Sequence, residues 1–266
     1  MSTPLAMLPM YDWPETRTAN DFFWDALKSS LQDYGFDAPP SLTRRDDPMS
    51  VWLDNNLLLS QTCGLPYKLA LREEVSIVGA PAYGIDCGAG SYFSVIIASK
   101  ASELSALSEI KNACFGFNGP VSQSGLAAFL YQLKTEGIPA DAIARGVQTG
   151  SHRRSIQMVV DGSVDVAALD AVSWELAKRH EPVAKNIRLI GRTTATPGLP
   201  FITHKRPKSE VRNMHLAVID AMASLDETTR DELLLMGFAE LHEADYDIIE
   251  RRYNDIAALA KAITTP

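Results

Sequence analysis

Cysteine is scarce in this chain: three residues, Cys63, Cys87 and Cys114, among 266. An odd count without metal-ligand spacing argues against a disulfide framework and a structural metal cluster, and it leaves buried free thiols as the plain reading. Basic charge is also in short supply. Lys and Arg number 25 against 33 Asp and Glu, for a formal net charge of −8. That balance supplies no basic field for nucleic acid, although backbone amides can still build a local anion site. Long apolar runs are missing too. Stretches such as Ser94–Ala98 and Leu233–Phe238 are pieces of core far below the ~20 residues of a membrane span, so no membrane insertion is expected. Met1–Pro9 carries no basic segment and does not read as a signal peptide, so a periplasmic location requires a removed leader and the alternative is the cytoplasm. There is no glycine-rich Walker loop and no Ser-His-Asp spacing, hence no expected catalytic residue, metal or cofactor.

What is present is a globular composition, 46% hydrophobic and 22% charged. Apolar strand-sized runs at Leu5–Met10, Leu57–Ser60, Val75–Val78, Tyr92–Ser99, Ala113–Phe117, Val164–Leu169, Arg188–Ile190 and Phe201–His204 alternate with helical patterns. Among the latter, Phe23, Leu27, Leu31 and Tyr34 recur near helical spacing, as do Leu126, Phe129, Leu130 and Leu133. Leu65–Glu73, Ala171–His180, Glu210–Ala223, Thr228–Met236 and Tyr246–Ile263 read as helical, and Gly79–Gly90 as a turn-rich stretch. Strands alternating with helices predict an α/β protein with mainly parallel sheets. The expected organisation is two lobes: residues 1–95 begin lobe 1, 96–204 form lobe 2, and 205–266 return to lobe 1 as a helical tail. Extended crossings are expected near 95–100 and 195–204.

The segment Asn118-Gly-Pro-Val-Ser-Gln-Ser-Gly125 lies between a strand and a strongly patterned helix. A helix start beyond a strand end presents unpaired amides and the positive end of the dipole, and Ser122 and Ser124 add hydroxyls, so an oxyanion fits there. The same serines also suit a plain N-cap, and both readings stay open. Gly150-Ser-His152 opens a second helix after a strand, and Arg153 and Arg154 beside it could reach an anion; a solvated first turn is the plain alternative. Asp170 ends the apolar run Val164–Leu169, where it can cap the following helix and can also meet a ligand. In the first lobe, Tyr11-Asp12-Trp13 and Ser60-Gln61-Thr-Cys63 follow strands. There Tyr11 and Gln61 could face a ligand and Asp12 a cationic tail, with core packing the alternative.

The order of these signatures is similar to that of the phosphate/phosphonate-binding components of ABC importers, a PhnD-like family with the type 2 periplasmic binding fold. The resemblance runs from the first strand to about Pro207. It passes through Gly64-Leu-Pro-Tyr67, Ser91-Tyr-Phe-Ser94, Ser122-Gln-Ser-Gly125, Gly150-Ser-His152, Gly162-Ser-Val-Asp-Val-Ala-Ala-Leu-Asp170 and Thr196-Pro-Gly-Leu-Pro200. It implies two lobes with a ligand cleft between them, a small-molecule ligand and an ABC permease as partner. It further implies that Ser122, Gln123, Ser124 and the Gly125 amide hold the anionic head, with His152 as a further donor. Tyr92 would lie against the ligand, Asp170 would take an amine or hydroxyl, and Tyr67 matches a recurring tyrosine. The family's loop reads Ser-Thr-Ser-Gly, and here Gln123 stands in place of the threonine. The expected function is a solute-binding protein for a phosphate- or phosphonate-like anion. The alternatives on the same fold are a cytoplasmic cofactor-biosynthesis enzyme, with His152, Cys63 or Asp170 moving protons, and a metabolite sensor.

Overall fold

The computed structural model describes residues 3–265; residues 1, 2 and 266, which belong to the sequence-predicted spans 1–95 and 205–266, lie outside it. In chain order the first elements are β1 (Leu5–Met7), α1 (Arg17–Asp33), α2 (Met49–Trp52), β2 (Leu57–Gln61), α3 (Gly64–Pro66) and β3 (Val75–Tyr83). Next come β4 (Ser91–Tyr92), β5 (Ser94–Ser99), β6 (Ala113–Phe117), α4 (Ala128–Thr135), β7 (Ile143–Gln148), α5 (His152–Val160), β8 (Val166–Asp170), α6 (Ala171–His180) and β9 (Ile187–Arg192). The chain finishes with β10 (Thr196–Pro197), β11 (Phe201–His204), α7 (Lys208–Ser224), α8 (Glu227–Glu232), β12 (Leu235–Ala239), α9 (Asp247–Asn254) and α10 (Ala257–Thr264).

These elements form two compact units, one of Met1–Ser91 with Pro197–Asp247 and the other of Tyr92–Thr196 with Ile248–Pro266. The first unit holds a five-stranded sheet in the order β1-β2-β11-β3-β12. Strand β1 runs parallel to β2, and β11 runs antiparallel to both β2 and β3. Helix α1 forms because Ala19, Phe23, Leu27 and Leu31 line one face at helical spacing; they bury against the core with Leu59, Phe201, Met214 and Val218.

The second unit holds a sheet in the order β7-β6-β8-β5-β9. Strands β7, β6 and β8 are mutually parallel, and β5 runs antiparallel to both of its neighbours, β8 and β9. Every residue of β6 and β8 is buried, as expected of parallel strands covered on both faces. Phe115 of β6 stacks on Phe129 of α4 with centroids 4.1 Å apart.

The sheets are mixed rather than mainly parallel, because β11, β12 and β5 pair antiparallel with their neighbours, and three further differences from the sequence expectations follow from packing. Tyr92–Ser99 is no bare crossing, because β5 is an inner strand of the second sheet. The tail does not stay with the first unit throughout: Ile248–Pro266 groups with the second, which adds a third passage at Asp247/Ile248. Its anchor is the close approach of α10 to β7, where a methyl group on Gly146 would meet Ile263 Cγ2 and the Ile263 carbonyl oxygen at 2.5 Å. Finally, the Thr228–Met236 helix stops at Glu232, and Leu235–Ala239 pairs antiparallel with β3 as an edge strand.

Candidate functional site

Parallel strands β6, β7 and β8 each lead from their carboxyl end into the start of a helix. After β6, Ser122 is the N-cap of a π turn, Gln123–Ala127, which continues directly into α4. The Ser122 hydroxyl oxygen accepts the Gly125 amide at 3.0 Å. After β7, Ser151 caps α5 by accepting the Arg154 amide at 3.1 Å. After β8, Asp170 caps α6 through Oδ1, which accepts the Ser173 amide at 2.8 Å. Three helices therefore begin with side-chain caps, each at a strand end.

Those three starts meet at one imidazole. His152 Nε2 lies 3.1 Å from Ser124 Oγ and 3.2 Å from Asp170 Oδ2. A carboxylate only accepts, so Asp170 dictates a proton on Nε2. Burial pulls the His152 pKa below its ordinary value; Asp170 and the Ala168 carbonyl pull upward and lose. The ring is consequently neutral near pH 7. With Nε2–H directed at acceptors, the Ser124 hydroxyl proton is left for a further acceptor. The Ser122 hydroxyl is in the same position, since its oxygen accepts Gly125 while its own proton is unspent. The first-turn amides of a helix lack intrahelical acceptors, but that of Gly125, which the resemblance assigned to the anion, already donates to Ser122 Oγ. Converging dipole ends and unspent O–H groups make this corner complementary to an anion.

Gly125 is required here by space. A methyl group on it would sit 1.9 Å from Asn118 Oδ1 and 3.2 Å from His152 Cε1. Asn118 therefore presses its Oδ1, buried and without a hydrogen-bond partner, against the helix start. Ser94 is the other residue that sequence reasoning left out of the site. Its hydroxyl donates to the Ser124 carbonyl at 3.0 Å, while its amide donates to Thr193 Oγ1 at 2.9 Å, pinning the loop to β5. The visible signal for both was position: Asn118 opens the serine loop and Ser94 closes the Ser91–Ser94 run.

Of the ten sequence-predicted site residues, Ser122, Gln123, Ser124, Gly125, His152, Asp170 and Tyr92 belong to the second unit; all seven apart from His152 are buried. Tyr11, Gln61 and Tyr67 belong to the first. Tyr11 stands edge-on to Tyr83 at 5.2 Å, and Gln61 Nε2 donates to the Tyr83 hydroxyl at 3.0 Å, so these three form one cluster. Tyr67 is buried edge-on against Tyr246 at 5.5 Å, and burial raises its pKa. Two side readings are corrected. Asp12 is not available to a cationic tail, because Arg44 takes both its oxygens at 2.6 and 3.2 Å. Arg153 is ion-paired with the buried Glu181, and Arg154 turns to Gln157 at 3.2 Å. Among the described residues no group of His, Cys, Asp and Glu has the arrangement of a metal site, and no helix is long and apolar enough to cross a membrane.

Two α/β units, with capped helix starts at parallel strand ends, define the fold class of the periplasmic binding proteins. Residues 55–247, more than half of the chain, match the model of the family described as ABC transporter, phosphonate, periplasmic substrate-binding protein, and the chain belongs to that family. Among solved structures, it is similar to PhnD1 from Prochlorococcus marinus in complex with methylphosphonate, with TM-score 0.76, 17% identity, and 96% of this chain and 98% of that one covered. It is also similar to a binding protein component of an ABC phosphonate transporter from Pseudomonas aeruginosa, with TM-score 0.75, 18% identity, and 99% and 90% covered. A Xanthomonas citri protein bound to ATP aligns with TM-score 0.68, 17% identity and 98% of both chains. No curated protein matches the sequence. The chain is thus a substrate-binding protein of the ABC phosphonate type, from a family that works in the periplasm with a small-molecule ligand and a permease.

Proposed function

We propose that this protein captures a small phosphonate- or phosphate-like oxyanion at the Ser122–Gly125 helix start and passes it to an ABC permease from the periplasm. The observation that carries the reading is the junction at His152 Nε2, which ties together the starts of three helices within 3.2 Å. Ser122 and Ser124 donate their hydroxyl protons to the anion, and the first-turn amides add to them. His152, held by Asp170, keeps Ser124 from spending its proton inside the protein. Asp170 sets a condition on the ligand, because a carboxylate beside the anion favours a P–OH or ammonium group over a fully ionised one. Gln123, the departure from the family's loop, lies buried on the first turn. The methylphosphonate of the Prochlorococcus relative is of the chemical class this cradle suits.

Isothermal titration with methylphosphonate, inorganic phosphate, sulfate and small carboxylates tests the reading. Saturable binding of a phosphonate or phosphate, weakened in Ser124→Ala, is expected. Silence with both, or binding indifferent to Ser124, would overturn it.

A further inference from the structure

Gln123 and Arg252 line one small cavity of the second unit, together with Tyr131, Thr194, Thr196 and Ile249. Its volume is about 10 Å³, which matches the minimum needed to hold a single water. Each of the two polar residues brings to it a buried atom without a hydrogen-bond partner: the Gln123 acceptor Oε1 and the Arg252 donor Nε. Two other contacts anchor the Arg252 guanidinium. Nη1 donates to the Ala195 carbonyl at 3.1 Å, and the group lies over the Tyr131 ring at 5.1 Å. Gln123 and Tyr131 share one helical face, and Arg252 comes from α9, beyond the residues that match the family. An orphaned donor and an orphaned acceptor, both buried, cost free energy unless one group serves both, and water is the smallest group that donates and accepts at once.

We infer that Gln123 and Arg252 form a water-bridged clamp through which the carboxyl-terminal tail fixes the first turn of the ligand helix, making both positioning residues for anion binding rather than contacts of the anion. Gln123 immediately precedes Ser124, so holding its side chain fixes the orientation from which Ser124 meets His152 and the ligand. The affinity consequence rests on the anion-binding reading above, whereas the clamp itself does not.

Two measurements test it. In a proton–nitrogen correlation spectrum of the ligand-free protein, the Arg252 Nε–H is expected to exchange slowly and to show a cross-peak to bound water, both lost in Gln123→Met. Methylphosphonate titration of Arg252→Lys, Gln123→Met and the double variant forms the second arm. Each single variant is expected to weaken binding roughly three- to tenfold, the scale of one net hydrogen bond, and the double variant to be no weaker than either. Arg252→Lys retains the positive charge near Tyr131 but gives up both the Nε donor and the Nη1 bond to Ala195, so its affinity is read alongside a cooperative melt that matches the wild type's. A fast-exchanging Nε–H insensitive to Gln123, or fully additive losses, would overturn the clamp. If the wild type ignores both methylphosphonate and inorganic phosphate, the functional reading falls while the spectroscopic arm still decides this one.

Discussion

His152 concentrates the chemistry of the site in one ring. Its pKa is depressed by burial, so in the unfolded chain it binds a proton near pH 6.5, before it does in the fold. The sign follows: the unfolded state gains stability from protonation first, and the folded protein loses stability as pH falls below about 6.5. Thermal melts of the ligand-free protein are expected to show a lower Tm at pH 5.5 than at pH 7.5, with a smaller drop in His152→Gln. Equal drops in both would mean that the ring titrates as it does in water. For binding, Ser124→Ala and His152→Ala are each expected to cost about 1–3 kcal/mol in anion affinity, the range of hydrogen bonds to charged groups. The melts should stay cooperative, because both residues sit at helix starts outside the apolar stripes. An unchanged Kd with a broadened melt would make them structural.

At the scale of elements, the docking of α10 on β7 is the contact most exposed to a single change. Gly146→Ala places a methyl group 2.5 Å from the Ile263 backbone oxygen, where no flexible side chain can yield. Overpacking of about 1–3 kcal/mol is expected, together with faster amide exchange across Ala257–Thr264. Exchange unchanged in that helix would refute the tail's attachment there. This contact was invisible in the sequence, since a glycine in a half-exposed edge strand carries no mark of what lies on it. The legible elements were those whose own residues decide them, such as α6 with its Asp170 cap and basic last turn, and β11 between Pro200 and Lys205. Two misreadings came from partners distant in sequence. Leu233–Phe238 continues an apolar helical pattern, but Leu234 turns to φ +56° and the segment finds β3 to pair with. Gly79 and Pro81 looked like turn residues, yet β3 runs through both; Gly79 is where Phe238 crosses the strand, and Pro81 lies opposite Phe238 in the register. In the site, helix starts after strands announced Ser122, Ser124, His152 and Asp170. Nothing local announced that one imidazole joins them, because β6, β7 and β8 become neighbours only in the folded sheet.

At the scale of the whole molecule, a binder and an enzyme make opposite predictions for the fate of the ligand. The site offers unspent hydroxyl protons, helix amides and a neutral imidazole held by a carboxylate. It offers no nucleophile activated by a base: if Nε2 carries the proton toward Asp170, His152 cannot take one from Ser124. A bound phosphonate should therefore stabilise the native chain by mass action and leave unchanged. At a hundredfold excess over Kd the gain is ~2.7 kcal/mol, which for a chain of this size raises Tm by roughly 5–10 °C. The shift should grow logarithmically with ligand concentration and shrink in Ser124→Ala. Phosphorus nuclear magnetic resonance of the compound released after heat denaturation is expected to show the starting ligand alone. A new phosphorus species that accumulates with time and disappears in His152→Ala would establish turnover and with it a different chemistry for the Ser124–His152–Asp170 junction.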